Sequence, residues 1–144
     1  MVITTEHLNG KTKQILRRVL IDKHVKVVID VRWSDKWPEY FREASLKGLL
    51  RAIGIHYQRF EVLGNPPKNR NENRDDWRTM KREYLNYIQL HKGALLRLLK
   101  LIKSQSKDKV FCIICYCQTR NQQQCHRFWL QEHLEKELEK EKHD

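Results

Sequence analysis

Residues 25–31 read Val-Lys-Val-Val-Ile-Asp-Val, a nearly continuous run of β-branched side chains. Residues 110–116, Val-Phe-Cys-Ile-Ile-Cys-Tyr, form a second apolar run of the same length. A strand with one face in water alternates apolar and polar residues, whereas a strand covered on both faces does not. Both runs are therefore predicted to be buried strands of a parallel sheet.

Strand-like and helical segments alternate along the chain on either side of these runs. A short strand is expected at residues 2–5 and a third strand with its exit loop at residues 55–63, and apolar side chains recur at helical spacing between the strands. Crossovers between parallel strands are right-handed, so that this order covers both faces of one sheet. We predict an α/β fold with a three-layer, Rossmann-like open sheet, mostly parallel, of about four strands with helices on both faces.

The chain of 144 residues suits a single domain, 1–144, with one core. Residues 65–76 have two prolines at positions 66 and 67 and continue with polar and basic side chains, which predicts a mobile basic and polar loop. Residues 135–144 are mostly charged and predict a frayed, acidic end of the last helix.

The formal net charge is +11, from 29 Lys and Arg against 18 Asp and Glu. A chain of this charge attracts polyanions, so an anionic ligand such as a nucleotide or a nucleic acid is the expected partner. The alternative is a basic protein without such a partner. No apolar stretch reaches about 18 residues and residues 1–10 do not read as a secretory signal, which predicts a cytoplasmic protein without a membrane partner.

In open parallel sheets, ligands bind outside the carboxyl ends of the strands. Asp30 and Arg32 stand at such an end, and residues two apart point to the same side of a strand. Asp30 is therefore expected either to orient Arg32 or to act as a general base. Arg32 would grip a phosphate or carboxylate, since its planar fork suits both anions. A purely structural ion pair is the alternative.

The sequence Cys125-His126-Arg127 stands where the last helix is expected to begin. A helix start attracts anions, and its field lowers the pKa of a cysteine. His126 and Arg127 are therefore candidate anion-binding residues, and Cys125 and Cys115 are candidate catalytic nucleophiles. The alternative for Cys125 is a buried thiol that only packs.

All four cysteines lie between positions 112 and 125, which is not the distribution of a disulfide scaffold. Cys115, Cys117, Cys125 and His126 would supply three sulfurs and one nitrogen to zinc, but their spacing lacks the paired knuckles of structural zinc sites. Residues 115–120 also resemble a cysteine-phosphatase loop superficially, without its glycines. We therefore expect no metal and no cofactor, and zinc is the minor alternative.

Several of these elements occur in a characteristic order. Asp30-Val31-Arg32 is followed by Gly64-Asn65-Pro66, by the strand that ends in Cys115, and by Cys125-His126-Arg127. In this combination the chain resembles the domain of unknown function 488 family. The resemblance implies a compact, Rossmann-like α/β domain, and it adds Gly64 to the residues of one shared ligand crevice. Cys117 stands where members commonly carry an acidic residue.

The family's name assigns no activity, so the functional expectation depends on the cluster of residues and on charge. The leading expectation is a nucleotide- or nucleic-acid-directed enzyme that binds a phosphate-like anion at the carboxyl ends of the strands. The alternative is a non-catalytic nucleic-acid-binding module that uses the basic surface. Whether the protein is an enzyme, and in which oligomeric state it exists, stays open at this point.

Overall fold

A computed structural model of the chain describes residues 2–117 and 124–142. Within these residues, four strands form one sheet in the order β1-β4-β2-β3, and every neighbouring pair is parallel. This architecture confirms the predicted α/β fold with a parallel sheet. The strands are β1 (Val2–His7), β2 (Val25–Asp30), β3 (His56–Arg59) and β4 (Val110–Cys115).

The helices occupy the connections between the strands and the segment after β4. Two short 3-10 helices, Glu39–Phe41 and Glu61–Leu63, lie before α2 and after β3. Residues 77–104 form two consecutive helices, of which the first ends at Leu90 and the second begins at Lys92. The α-helices are α1 (Lys13–Asp22), α2 (Glu43–Arg51), α3 (Pro67–Glu72), α4 (Trp77–Leu90), α5 (Lys92–Ser104) and α6 (His126–Lys142).

The sheet is covered on both faces, which explains the unbroken apolar runs. Val27 and Ile29 of β2 pack in one core with residues of α4, α5 and α6, among them Leu98 and Trp129. Val28 points the other way and packs in a second core with residues of α1 and α2. The fold is therefore three-layered, with buried side chains above and below every central strand.

The prediction of a loop over residues 65–76 is wrong for residues 67–72, which form α3. Pro67 occupies the first turn of this helix, where its fixed φ angle favours helix formation and its missing N–H costs nothing. Asn69 is buried and donates to Asn65 Oδ1 at 2.9 Å and to Met80 O at 3.0 Å. These bonds hold α3 against α4, while Lys68 and Arg70 remain exposed.

The last helix, predicted to end in a frayed, acidic segment over residues 135–144, continues as α6 to Lys142, and the fraying stays a prediction. Leu134 is buried, Leu138 packs against the same core, and Glu141 forms an ion pair with Lys103 of α5. These contacts hold a segment whose sequence is mostly charged. Residues 143 and 144 lie outside the described residues.

None of the helices in the described chain combines the length and the apolar character that a membrane span requires.

Candidate functional site

The carboxyl edge of the sheet brings together the residues that the sequence singled out. His126 Nε2 lies 3.0 Å from Val31 O, so the start of α6 is bonded to the chain just after β2. Cys115 at the end of β4 contacts Cys125 immediately before α6. All seven predicted site residues are buried, namely Asp30, Arg32, Gly64, Cys115, Cys125, His126 and Arg127.

Asp30 and Arg32 form a buried ion pair at the end of β2. Arg32 donates from Nε to Asp30 Oδ1 at 2.9 Å and from Nη2 to Oδ2 at 2.6 Å, and its backbone N–H donates to Oδ1 at 3.1 Å. Tyr57 of β3 adds a hydrogen bond from its hydroxyl to Asp30 Oδ2 at 2.6 Å. With both oxygens engaged in this way, Asp30 is placed to orient Arg32.

The ion pair does not use Nη1, the remaining nitrogen of the Arg32 guanidinium. The Arg32 side chain is 1% exposed, and Nη1 has no hydrogen-bond partner among residues 2–117 and 124–142. Burial lowers the pKa of Arg32, but the hydrogen bonds and charge of Asp30 outweigh that effect and raise the pKa above its ordinary value. Arg32 is therefore a fixed, charged group with one buried N–H donor group to spare in the described part of the chain.

Cys115, Cys125 and Arg127 form a second buried group. The two sulfurs are 3.4 Å apart, and both residues are free thiols. Nη1 of Arg127 donates to Cys115 Sγ at 3.3 Å and to Cys125 Sγ at 3.1 Å. Cys117 is half-buried and hydrogen-bonds to both of the other cysteines. A guanidinium therefore lies directly beside a pair of sulfurs.

The predicted lowering of the Cys125 pKa is wrong. Burial, together with a hydrogen bond to Cys115, raises the pKa of Cys125 well above its ordinary value. Burial also raises the pKa of Cys115 to about 11. Loss of hydration penalises the thiolate more than Arg127 and the helix start favour it. The nucleophilic roles of Cys115 and Cys125 stay predictions.

His126 is a neutral imidazole with a defined orientation. Burial lowers its pKa to about 4, although the bond to Val31 O opposes this shift. A carbonyl oxygen only accepts hydrogen bonds, so Nε2 carries the proton and donates to Val31 O. Nδ1 then has a lone pair, and it lies 3.8 Å from Cys125 Sγ. The edge of the Tyr84 ring packs against the imidazole.

Any side chain at position 64 would clash with the backbone of Trp33. A Cβ atom at this position would lie 2.7 Å from Trp33 N and 2.8 Å from Trp33 Cα. The segment after β3 thus passes directly over the backbone that follows Arg32. A ligand-binding role for Gly64 stays a prediction.

Two tyrosines that the sequence did not single out, Tyr57 and Tyr84, also belong to the site. Tyr57 lies opposite Val28 in the sheet and reaches Asp30. Tyr84 is fully buried in α4 and donates its hydroxyl to Leu63 O at 2.6 Å, next to Gly64. A buried tyrosine needs a hydrogen-bond partner for its hydroxyl. Tyrosines among apolar residues of a predicted strand or helix could therefore have been recognised as candidates for the site.

The metal-ligating side chains that come together in the described residues are Cys115, Cys125 and His126, whose donor atoms all lie within 4.8 Å of one another. Cys117, the fourth residue of the zinc alternative, is not part of that group. Residues 118–120 of the phosphatase-like segment lie outside the described residues.

The sequence profile of one family, described as Domain of unknown function DUF488, matches residues 11–134. The chain belongs to the DUF488 family. The match spans every residue of the site, from Asp30 to Arg127, and confirms the resemblance found in the sequence. Neither the curated proteins nor the solved structures contain a significant match to this DUF488 chain.

Proposed function

We propose that this protein is a nucleotide- or nucleic-acid-directed enzyme that binds a phosphate-like anion at the carboxyl edge of the sheet, between Arg32 and the start of α6. The observation that carries the proposal is the buried guanidinium of Arg32, whose Nη1 has no partner in the part of the chain that the structure describes. Buried polar groups are nearly always hydrogen-bonded, and a bound anion would satisfy this one.

The surroundings of Arg32 support a binding role because they hold the guanidinium in one orientation. Asp30 fixes two of its nitrogens, and Tyr57 in turn fixes Asp30. A cation that is positioned before the ligand arrives loses little conformational entropy on binding.

Arg127 supplies a second positive charge at the same edge. Because burial keeps the adjacent thiols uncharged, the guanidinium adds positive potential where α6 begins. The helix start adds its own partial positive charge, and the net charge of +11 draws polyanions toward the whole molecule. These charges support a phosphate-like anion as the proposed ligand.

The proposed chemistry uses the thiols beside the anion. Cys125 is the proposed nucleophile, because its Sγ lies 3.1 Å from Arg127 Nη1 and 3.8 Å from His126 Nδ1, and the guanidinium would offset part of the cost of forming the thiolate. Asp30 is engaged with Arg32 and Tyr57, so its proposed part is to position Arg32.

The test is calorimetric titration of the protein, at low salt, with inorganic phosphate, nucleoside phosphates and a short oligonucleotide. We expect Arg32→Gln and Arg127→Gln each to weaken binding about ten- to a hundredfold, the value of a charged hydrogen bond. Arg97→Gln is the matched control, because Arg97 is exposed on α5. Unchanged binding in both site variants would contradict the proposal.

A second candidate function is non-catalytic nucleic-acid binding by the basic surface. The observation in its favour is a group of exposed cations on and between α3 and α4, namely Lys68, Arg70, Arg74, Arg78 and Arg82. Affinity for an oligonucleotide would then fall steeply with salt. The triple variant Arg70→Glu, Arg74→Glu, Arg78→Glu should then abolish oligonucleotide binding. The control triple variant Arg17→Glu, Arg18→Glu, Arg51→Glu, also at exposed positions, should keep it, and so should Arg127→Gln.

A further inference from the structure

We propose that Cys115, Cys125 and His126 bind a zinc ion through Cys115 Sγ, Cys125 Sγ and His126 Nδ1. These three donor atoms lie within 4.8 Å of one another, and all three residues are buried. The proposal does not depend on anion binding, since it concerns only the thiols and the imidazole. When zinc is bound, Cys115 and Cys125 are ligands, so the nucleophilic role proposed above for Cys125 belongs to the zinc-free protein.

The spacing of the donors suits zinc. Zinc–sulfur bonds of about 2.3 Å and zinc–nitrogen bonds of about 2.0–2.1 Å place tetrahedral donors about 3.5–3.8 Å apart. The two sulfurs are 3.4 Å apart, and Cys125 Sγ lies 3.8 Å from His126 Nδ1. Small side-chain movements would therefore admit the ion.

His126 already has the hydrogen bond that a zinc-binding histidine usually makes. Such a histidine donates its other ring N–H to a carbonyl or carboxylate, which sets the tautomer and aims the free nitrogen at the metal. Here Nε2 donates to Val31 O at 3.0 Å, and Nδ1 points toward the sulfurs. The bond also anchors the ring to a different element of the fold.

Without a metal, burial keeps both thiols protonated, but Arg127 is placed to stabilise the sulfurs once zinc has displaced their protons. Arg127 Nη1 donates to both of them, and N–H donors next to a metal-bound sulfur stabilise its negative charge. Two thiolates cancel the charge of Zn²⁺, so that zinc binding with release of two thiol protons adds no net charge to the buried site. Sulfur and imidazole donors favour zinc over magnesium or calcium.

Three protein ligands leave a fourth coordination position, as in catalytic zinc sites. Cys117 hydrogen-bonds to the other two cysteines, but it is only half-buried and is not among the three residues whose donor atoms all lie within 4.8 Å of one another. The proposal therefore assigns three ligands, and Cys117→Ser should keep the zinc.

The test uses the full chain, stripped with a chelator and free of phosphate and nucleotide. Titration with Zn²⁺ against a chromophoric chelator should show one ion per chain. Cys115→Ser and Cys125→Ser should each lower the affinity at least tenfold. Cys112→Ser is the matched control, because Cys112 is equally buried in β4 but packs in the core on the opposite face of the sheet.

X-ray absorption spectroscopy of the zinc-loaded, unmutated protein identifies the ligands directly, so the test does not depend on whether the serine variants fold. It should show two sulfurs at about 2.3 Å and one imidazole nitrogen at about 2.0–2.1 Å. Absence of stoichiometric zinc, a spectrum with only oxygen and nitrogen ligands, or loss of zinc in Cys117→Ser with retention in Cys115→Ser and Cys125→Ser would each overturn the proposal. Because no anion is present, any of these results leaves the proposed function to its own test.

Discussion

Asp30 and Arg32 stand two residues apart at the end of β2 and bond through both carboxylate oxygens, with Nε–Oδ1 at 2.9 Å and Nη2–Oδ2 at 2.6 Å. The exposed fraction is 0% for Asp30 and 2% for Arg32. Each charge is therefore tolerated inside the protein only because of the other. This relationship gives the first of four predictions.

Removal of one charge of this pair should be strongly destabilising. We expect Asp30→Ala to lower the free energy of unfolding by about 3–5 kcal/mol, since it leaves a buried guanidinium uncompensated. Urea denaturation measures the change. The double variant Asp30→Leu, Arg32→Met should recover most of the loss, because apolar residues of similar volume need no partner. A loss below about 1 kcal/mol in the single variant would show that the pair is not buried in solution.

Gly64→Ala should lower the free energy of unfolding by about 1–3 kcal/mol. The new methyl group would meet the backbone of Trp33, which a side-chain rotation cannot relieve. Gly48→Ala is the control, because Gly48 is exposed inside α2 and has open space around it. It should be stabilising by up to about 1 kcal/mol, as is usual for glycine within a helix. Equal effects of the two substitutions in thermal melts would refute the close approach at Gly64.

Tyr84→Phe should cost about 1–3 kcal/mol, because it removes the hydrogen bond to Leu63 O and leaves a buried carbonyl without that donor. Tyr40→Phe is the matched control, since the Tyr40 hydroxyl makes only a long bond of 3.4 Å on the surface. Its unfolding midpoint in urea should stay close to that of the unchanged protein. The prediction fails if both variants have the same midpoint.

Glu6 predicts a pH dependence of stability. Burial raises its pKa, but hydrogen bonds from Lys23 and Lys11 and their charges outweigh burial and hold the pKa below its ordinary value of 4.5. The stabilisation is therefore complete above about pH 5 and is lost as the pH falls through the lower pKa of the folded state.

We expect Glu6→Gln to lower stability at pH 7 by less than about 1 kcal/mol, since the cluster is partly hydrated. Below about pH 4 the difference from the unchanged protein should shrink toward zero. Urea denaturation at several pH values measures this difference, and Glu39→Gln, an exposed site, controls for loss of one negative charge. A difference that grows on acidification would contradict the assignment.

Local patterns in the sequence predicted much of the fold and part of the site. The β-branched run before Asp30 predicted β2, and the two-residue spacing predicted that Asp30 and Arg32 face each other, because alternation along a strand is a local property. Residues 67–72 were misassigned, since a proline that ends one element also begins another.

The partners of the thiols could not be read from the sequence. Cys115 and Cys125 are ten positions apart, and their contact exists only because β4 and the start of α6 converge. The same burial reversed the predicted direction of the Cys125 pKa, since loss of hydration depends on how completely the core closes around a group.

The sequence by itself therefore determined the parallel three-layer fold, the family, and the carboxyl edge of the sheet as the location of the candidate site. Periodicity and residue order, on which these predictions depend, are properties of the chain. Only the tertiary structure decided which side chains contact one another there. It placed Arg127 against two sulfurs, His126 against Val31 and Tyr57 against Asp30. Distance and burial belong to the packed molecule, and they set the charge state and donor geometry on which the chemistry of the site depends.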